Sequence, residues 1–393
     1  MRSALREDGI DVRAGYISET ASNVQGGDRE IWRYADQWTF AVTLDLDKLL
    51  ELNQAQFKIA ITDRNGRSLS ADAHLDDLQQ VQEVYGSNQT WYWSQFWYDQ
   101  KYPNGKLDWK IGRVSPGEDF AAFSCEFMNF TFCGSSPGNI AVSVWYNWPV
   151  SQLASRVRVN MDFGYLQLGA FEVNPSYLLT QYALDLKDPA GATGLLAPFE
   201  IGWVPTFGGG LRGSYKFGAW YNSSKAPDVV ENTRGQALAI DGGVPLMRHG
   251  EYGAYFNFLQ NLTRFSTGDP EKGVKVFINS IYADRRTSTL DSQVAAGVLY
   301  SAPFASRPND EVGLAIGRTH VNSRVAEVEA QDNVAGRLGV DVQGAECVGE
   351  LFYKAMATEW LTLRPNVQYV HEPGGIARNS DDLIVGLRLS INF

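Results

Sequence analysis

The side chains able to do chemistry in this sequence are cationic and aromatic rather than nucleophilic. Arg33, Lys58, Arg156, Arg158, Lys216, Lys275, Lys354, Arg364 and Arg388 lie in stretches that alternate apolar and polar residues with a period of two, and Asp162, Glu200 and Glu350 share their polar phase. A ladder of such groups has two uses. It attracts anions through a focused field, or it donates hydrogen bonds to the hydroxyls of a neutral solute passing close by. Trp145 in "AVSVWYNW" and Trp220 in "KFGAWYN" fall in the same phase. They favour the second use, because an aromatic face packs on the C–H side of a sugar ring while polar neighbours meet its hydroxyls. The plainer alternative is that both tryptophans fill space beside a loop.

The rest of the inventory excludes whole classes. His74, His249, His320 and His371 are scattered without the spacing of metal ligands or an acid–base pair. Neither a G-x-S-x-G nucleophile nor a phosphate-cradling loop occurs, so no enzyme, metal or cofactor is expected. A net charge of −11 argues against a nucleic-acid partner. Cys125 and Cys133 sit close together in "FSCEFMNFTFCGSSPG", while Cys347 stands alone. A Cys125–Cys133 bridge would place the chain in an oxidising compartment; two buried free thiols are the alternative.

The elements that must position these groups are strands. Period-two alternation returns along the whole chain, separated by turn-rich segments. It predicts about sixteen strands, including 139–148 and one long strand over 154–173, several of them matching the 9–11 residues that cross a bilayer at a tilt. With 11 Trp, 18 Tyr, 20 Phe and 38 Gly, the composition suits strands and turns. No apolar run is long enough for a membrane helix, and "MRSALREDGIDVR" has no signal-peptide core, which suggests a mature form with a starter Met. Tight connections such as "YPNGK" (102–106), "GGGLRG" (208–213) and "MATEW" (356–360) alternate with long ones at 67–89, 116–138, 174–194, 223–249, 322–345 and 372–381. That asymmetry is the signature of a transmembrane β-barrel.

The two faces can be assigned. In "RVRVNMDFGY", Val157, Val159, Met161, Phe163 and Tyr165 oppose Arg156, Arg158, Asn160 and Asp162. A soluble sandwich also alternates, with its apolar side inward. Large aromatics near strand ends (Trp32, Tyr34, Trp38, Trp148, Trp203, Tyr221, Tyr369) fit interface girdles better, so the apolar face is read as lipid-facing and the lumen as cationic. The closing "DDLIVGLRLSINF" alternates to the last residue, as a barrel's final strand must if it pairs with the first and leaves no edge. The segment 116–138 is too apolar for an outside loop: Phe120, Phe123, Phe127, Phe130 and Phe132 would be exposed. Folded into the lumen, it would bring Arg113, Glu118 and Asp119 near the narrowest point; packed over the rim, it would serve stability alone.

The stretches "CEFMNFTFCG", "GAFEVNP", "LRGSYKFGAWYN", "LRPNVQYVHEPGG" and "VGLRLSINF" resemble the carbohydrate-selective porin (OprB) family of Gram-negative outer membranes. The resemblance implies a sixteen-stranded outer-membrane barrel passing glucose and related sugars, with Arg113 and the loop 116–138 shaping its constriction. It also implies contact with outer-membrane lipid and lipopolysaccharide, and recognition of the strand ending in Phe393 by the assembly machinery. The expected function is therefore passive monosaccharide uptake by a single barrel over 1–393, its narrow zone drawn from Arg113, Glu118, Asp119, Trp145, Arg156, Arg158, Lys216, Trp220, Arg364 and Arg388. The alternatives are a general or anion-selective porin and a soluble secreted carbohydrate-binding β-sheet protein.

Overall fold

In a computed structural model, residues 2–393 are described except 103–104, 188, 264–271, 335 and 337–338, so two residues of the "YPNGK" turn lie outside the described set. The strands are β1 (Ile10–Gln25), β2 (Trp32–Asp45), β3 (Ala55–Gly66), β4 (Trp91–Tyr102), β5 (Leu107–Val114), β6 (Gln152–Met161), β7 (Gly164–Val173), β8 (Gly194–Trp203), β9 (Thr206–Phe207) and β10 (Leu211–Asn232). They continue with β11 (Pro245–Asn261), β12 (Val274–Ala283), β13 (Leu290–Ser301), β14 (Glu311–Val321), β15 (Ala345–Met356), β16 (Leu361–His371) and β17 (Asp382–Asn392). Each is antiparallel to its chain neighbour, with two-residue β9 an appendage on β10. The ladder closes where β1 pairs β17, from Gly15 opposite Asn392 to Asn23 opposite Ile384. Closure leaves no edge to fray, which is why the terminal alternation persists to the end of the chain.

Sixteen full strands result, though not by the predicted route. The span 139–148 is no strand: Pro137–Ile140 is a helical turn inside a long loop. The span 154–173 is a hairpin that reverses at Asp162 and Phe163, with Met161 opposite Gly164. Gly164, at φ +152°, makes this turn possible, because a Cβ there would lie 1.9 Å from the Gly202 carbonyl oxygen. The reversal resets the phase, so Tyr165 joins Arg158 and Gln167 on the inner face instead of Val157 and Val159 on the outer. The loop expected over 223–249 is largely strand, since β10 and β11 keep pairing at Lys225 with His249 and Pro227 with Met247.

Outside, the apolar phase is bare. Val157 is 41% exposed, Leu387 44% and Phe163 45%, as membrane-facing residues are, whereas a sandwich would bury them. Inside, Arg388 and Arg156 are covered. Turns 162–163 and 357–360 mark one end together with both chain termini; the connections 67–90, 115–151, 174–193, 322–344 and 372–381 crowd the other.

Two of those long loops enter the barrel. Phe127 packs on Phe277 and Phe352 of the wall with Phe132 against it, and Phe120 meets Phe171. Burying each ring contributes about 1.5–3 kcal/mol. Wall carboxylates hold the loop backbone: Glu200 accepts from the Ala121 N–H at 2.8 Å, and Glu350 accepts from Met128 and Asn129, each at 2.8 Å. Those N–H groups would otherwise be stranded in a dry interior. The rim alternative for 116–138 is thereby replaced by the lumen. Cys125 and Cys133 are joined by a disulfide within this loop.

Candidate functional site: the constriction

The segment 67–90, which follows β3, enters the barrel as well. Leu69 N–H donates to Gln82 and Val84 N–H to Glu19 on β1, while Gln368 on β16 donates to the Val81 carbonyl. This loop meets the disulfide loop edge to edge, Glu83 N–H bonding the Met128 carbonyl and Phe130 N–H the Gln80 carbonyl. Together they narrow the lumen.

At the narrowing, Arg64 on β3 donates from Nε to Gln37 Oε1 on β2 at 2.8 Å, and Trp148 Nε1 reaches the same oxygen at 3.2 Å. Glu83 lies between two guanidiniums, 3.8 Å from Arg64 and 3.0 Å from Arg388, and Arg388 also meets Glu19 at 3.1 Å. Two cavities adjoin here. One of about 310 Å³ is lined by Ile17, Gln95, Glu118, Phe123 and the disulfide; the other, about 430 Å³, by Asp77, Gln79, Tyr85, Tyr146 and Leu178. Arg64, Glu83, Phe130, Asn147 and Trp148 line both, and so form the neck between them. On the wall of the larger cavity, burial pushes the Asp77 carboxyl up to about 8, against the pull of its Ser70 hydrogen bond, with Glu346 adding repulsion.

The expected site residues divide. Arg388 and Glu118 line the smaller cavity, Glu118 accepting from Gln95 at 2.6 Å and from Lys110 at 3.0 Å. Asp119 is buried with Lys110 at 2.9 Å and Arg156 at 3.5 Å, and Arg156 also meets Asp108 at 2.8 Å and Asp99 at 3.2 Å. Arg364 pairs with Glu126 at 2.8 Å, and Lys354 shares that carboxylate. Lys216 donates to the Ala122 carbonyl beside a separate 140 Å³ cavity. Arg158 lies over the Tyr165 ring and donates to Gln167 at 2.8 Å.

Three expectations are corrected. Arg113 is not in the constriction: it pairs in register with Phe96 and Leu153 on the outer face, where it lies over Tyr177 and donates to the carbonyls of Ser151 and Asp185, clamping rim loops. Trp145 comes from the lumen loop and not from a strand; packed edge-on to Trp220 and Tyr255, it borders the larger cavity, whereas Trp220 lines neither of the two. The cationic ladder is answered in part by carboxylates: Arg156 meets Asp99, Asp108 and Asp119, Lys354 and Arg364 meet Glu126, and Arg388 meets Glu19 and Glu83.

Sequence reasoning missed Arg64, Glu83, Gln37 and Asn147, and it set Trp148 among the interface girdle aromatics, whereas Trp148 belongs to the lumen loop and lines both cavities. Arg64 lies two residues before the end of a strand whose period-two pattern already includes Lys58 and so carried a signal. Glu83 carried none, since nothing local shows that its loop turns inward.

The sequence profile described as the carbohydrate-selective porin, OprB family, matches residues 29–393. Porin B of Pseudomonas aeruginosa is 38% identical over 408 residues, covering all of this chain and 89% of that protein. The putative porin QuiX of Acinetobacter baylyi is 31% identical, covering all of this chain and 91% of its own length. A high-pH structure of Pseudomonas putida OprB superposes with a TM-score of 0.96 at 38% identity, covering all of this chain and 96% of that one.

Proposed function

The chain belongs to the carbohydrate-selective porin (OprB) family of integral Gram-negative outer-membrane channels, and on that premise we propose that it passes single hexoses such as glucose by passive diffusion, selecting them at the neck where Arg64 opposes Glu83. The supporting observation is the composition of that neck. A guanidinium and a carboxylate of opposite charge, with Gln37 and Asn147, offer donors and acceptors together. A neutral polyol, whose hydroxyls need both, can exchange water for these groups, while Trp148 and Phe130 supply apolar walls for its C–H faces. Ion pairing of Arg156, Arg364 and Arg388 weakens the positive field that an anion-selective pore would need. Binding should be weak, because a tightly held solute would not leave.

Liposome swelling and single-channel current with glucose, a disaccharide and chloride salts test this reading. Faster swelling in glucose than in the disaccharide, with millimolar block of current, supports it. Equal rates for both sugars, or anion selectivity without sugar block, would return the protein to the general-porin reading.

A further inference from the structure

We propose that the outer face of β12–β14 binds a phosphate-bearing lipid of the outer leaflet, lipid A, its phosphate on Arg318 and one acyl chain in the groove beneath. Arg318 pairs in register with Val294 and Cys347, placing it in the membrane-facing phase. It is exposed, and it has no carboxylate partner among the described residues. A lone guanidinium there is costly toward the bilayer centre and tolerated toward the interface. Arg318 lies three residues from the outer end of its strand, one pleat below the row formed by Tyr282, Ser292 and His320. Tyr282 is a half-exposed aromatic of the kind that marks an interface.

Directly below runs an apolar groove of about 370 Å³ lined by Val276, Ile278, Ala296, Val298, Leu314 and Ile316. Register explains it: Ala296 sits between Ile278 and Ile316 and is too small to fill the row. Ile316, 66% exposed, forms one bank. About 7 Å along the strand separates the groove's top row from the row of Arg318, so headgroup and chain positions line up on one lipid. A second cation borders the site: Arg285 meets Asp291 at 3.3 Å, and Asp291 also takes His320 at 2.8 Å. That carboxylate already serves two partners, leaving Arg318 for an external anion. Charged arginine–phosphate contacts are short and strong.

The test is native mass spectrometry of the whole detergent-purified barrel titrated with lipid A, dephosphorylated lipid A, phosphatidylglycerol or inorganic phosphate. The proposal expects lipid A to be retained by the wild type and bound about ten- to a hundred-fold more weakly by Arg318→Gln, the range lost with a charge-assisted hydrogen bond. Ala296→Phe, which fills the groove, should weaken it similarly. Both side chains face lipid, so heat-modifiable mobility and glucose swelling should stay at wild-type values, separating this idea from the sugar reading. Equal retention by Arg318→Gln and wild type, equal binding of dephosphorylated lipid A, equal binding of phosphatidylglycerol, lipid A binding unaffected by Ala296→Phe, or inorganic phosphate bound as tightly as lipid A would each overturn it.

Discussion

Arg64 and Glu83 face each other at 3.8 Å from a strand and a loop respectively, close enough to attract and too far for a direct hydrogen bond, so each keeps bonding capacity for a hydroxyl beside the pair. Glu83 is held from behind by Arg388 at 3.0 Å, which fixes its position when a solute arrives. Replacing Arg64 with Ala removes a donor and widens the neck. Disaccharide swelling rates should rise several-fold relative to glucose, and glucose block of current should weaken. An unchanged ratio of the two rates would place selection elsewhere.

Trp148 closes the same neck and is pinned through Nε1 to Gln37. Trp148→Ala should raise conductance and disaccharide flux together, while Trp145→Ala, within a packed cluster, should lower thermal stability by about 3–5 kcal/mol. Melting temperature and swelling rate, read on both variants, separate the two roles.

Glu350 accepts two backbone N–H groups of the lumen loop. Glu350→Ala strands both, at about 1–3 kcal/mol each. Single-channel records should show added current noise and intermittent wider openings; Glu350→Gln, which keeps one acceptor, should show less.

The Cys125–Cys133 bridge closes a small loop on the cavity wall. Cys125→Ser with Cys133→Ser should cost about 2–4 kcal/mol and speed passage of the larger sugar, and reductant should do the same to the wild type. Swelling with and without reductant reads the effect, which the double variant should not show.

Asp77 has its carboxyl raised to about 8 by burial. The folded state therefore holds a proton that the unfolded chain releases near its ordinary value, and stability declines as pH rises from about 4 to 8. Asp77→Asn should flatten that decline and leave the protein more heat-stable at pH 8. Melting curves at several pH values check it; parallel curves for both proteins would refute it.

What this chain settles by itself is local. Alternation between Val157 and Arg158, or Leu387 and Arg388, assigns each residue to lipid or lumen, because a pleated strand has only two sides. The same rule fails at Tyr165, where a two-residue turn inverted the phase, and at 139–148, where apolar alternation belonged to a loop packed as core. Only the closed barrel decided the charge balance inside, since the carboxylates that answer the ladder arrive from afar: Glu19 lies 369 residues from Arg388 and Glu126 lies 238 from Arg364. Periodicity records which way a side chain points. What it meets across an enclosed space depends on where loops such as 67–90 come to rest, and that is fixed by burial and backbone hydrogen bonds to distant strands.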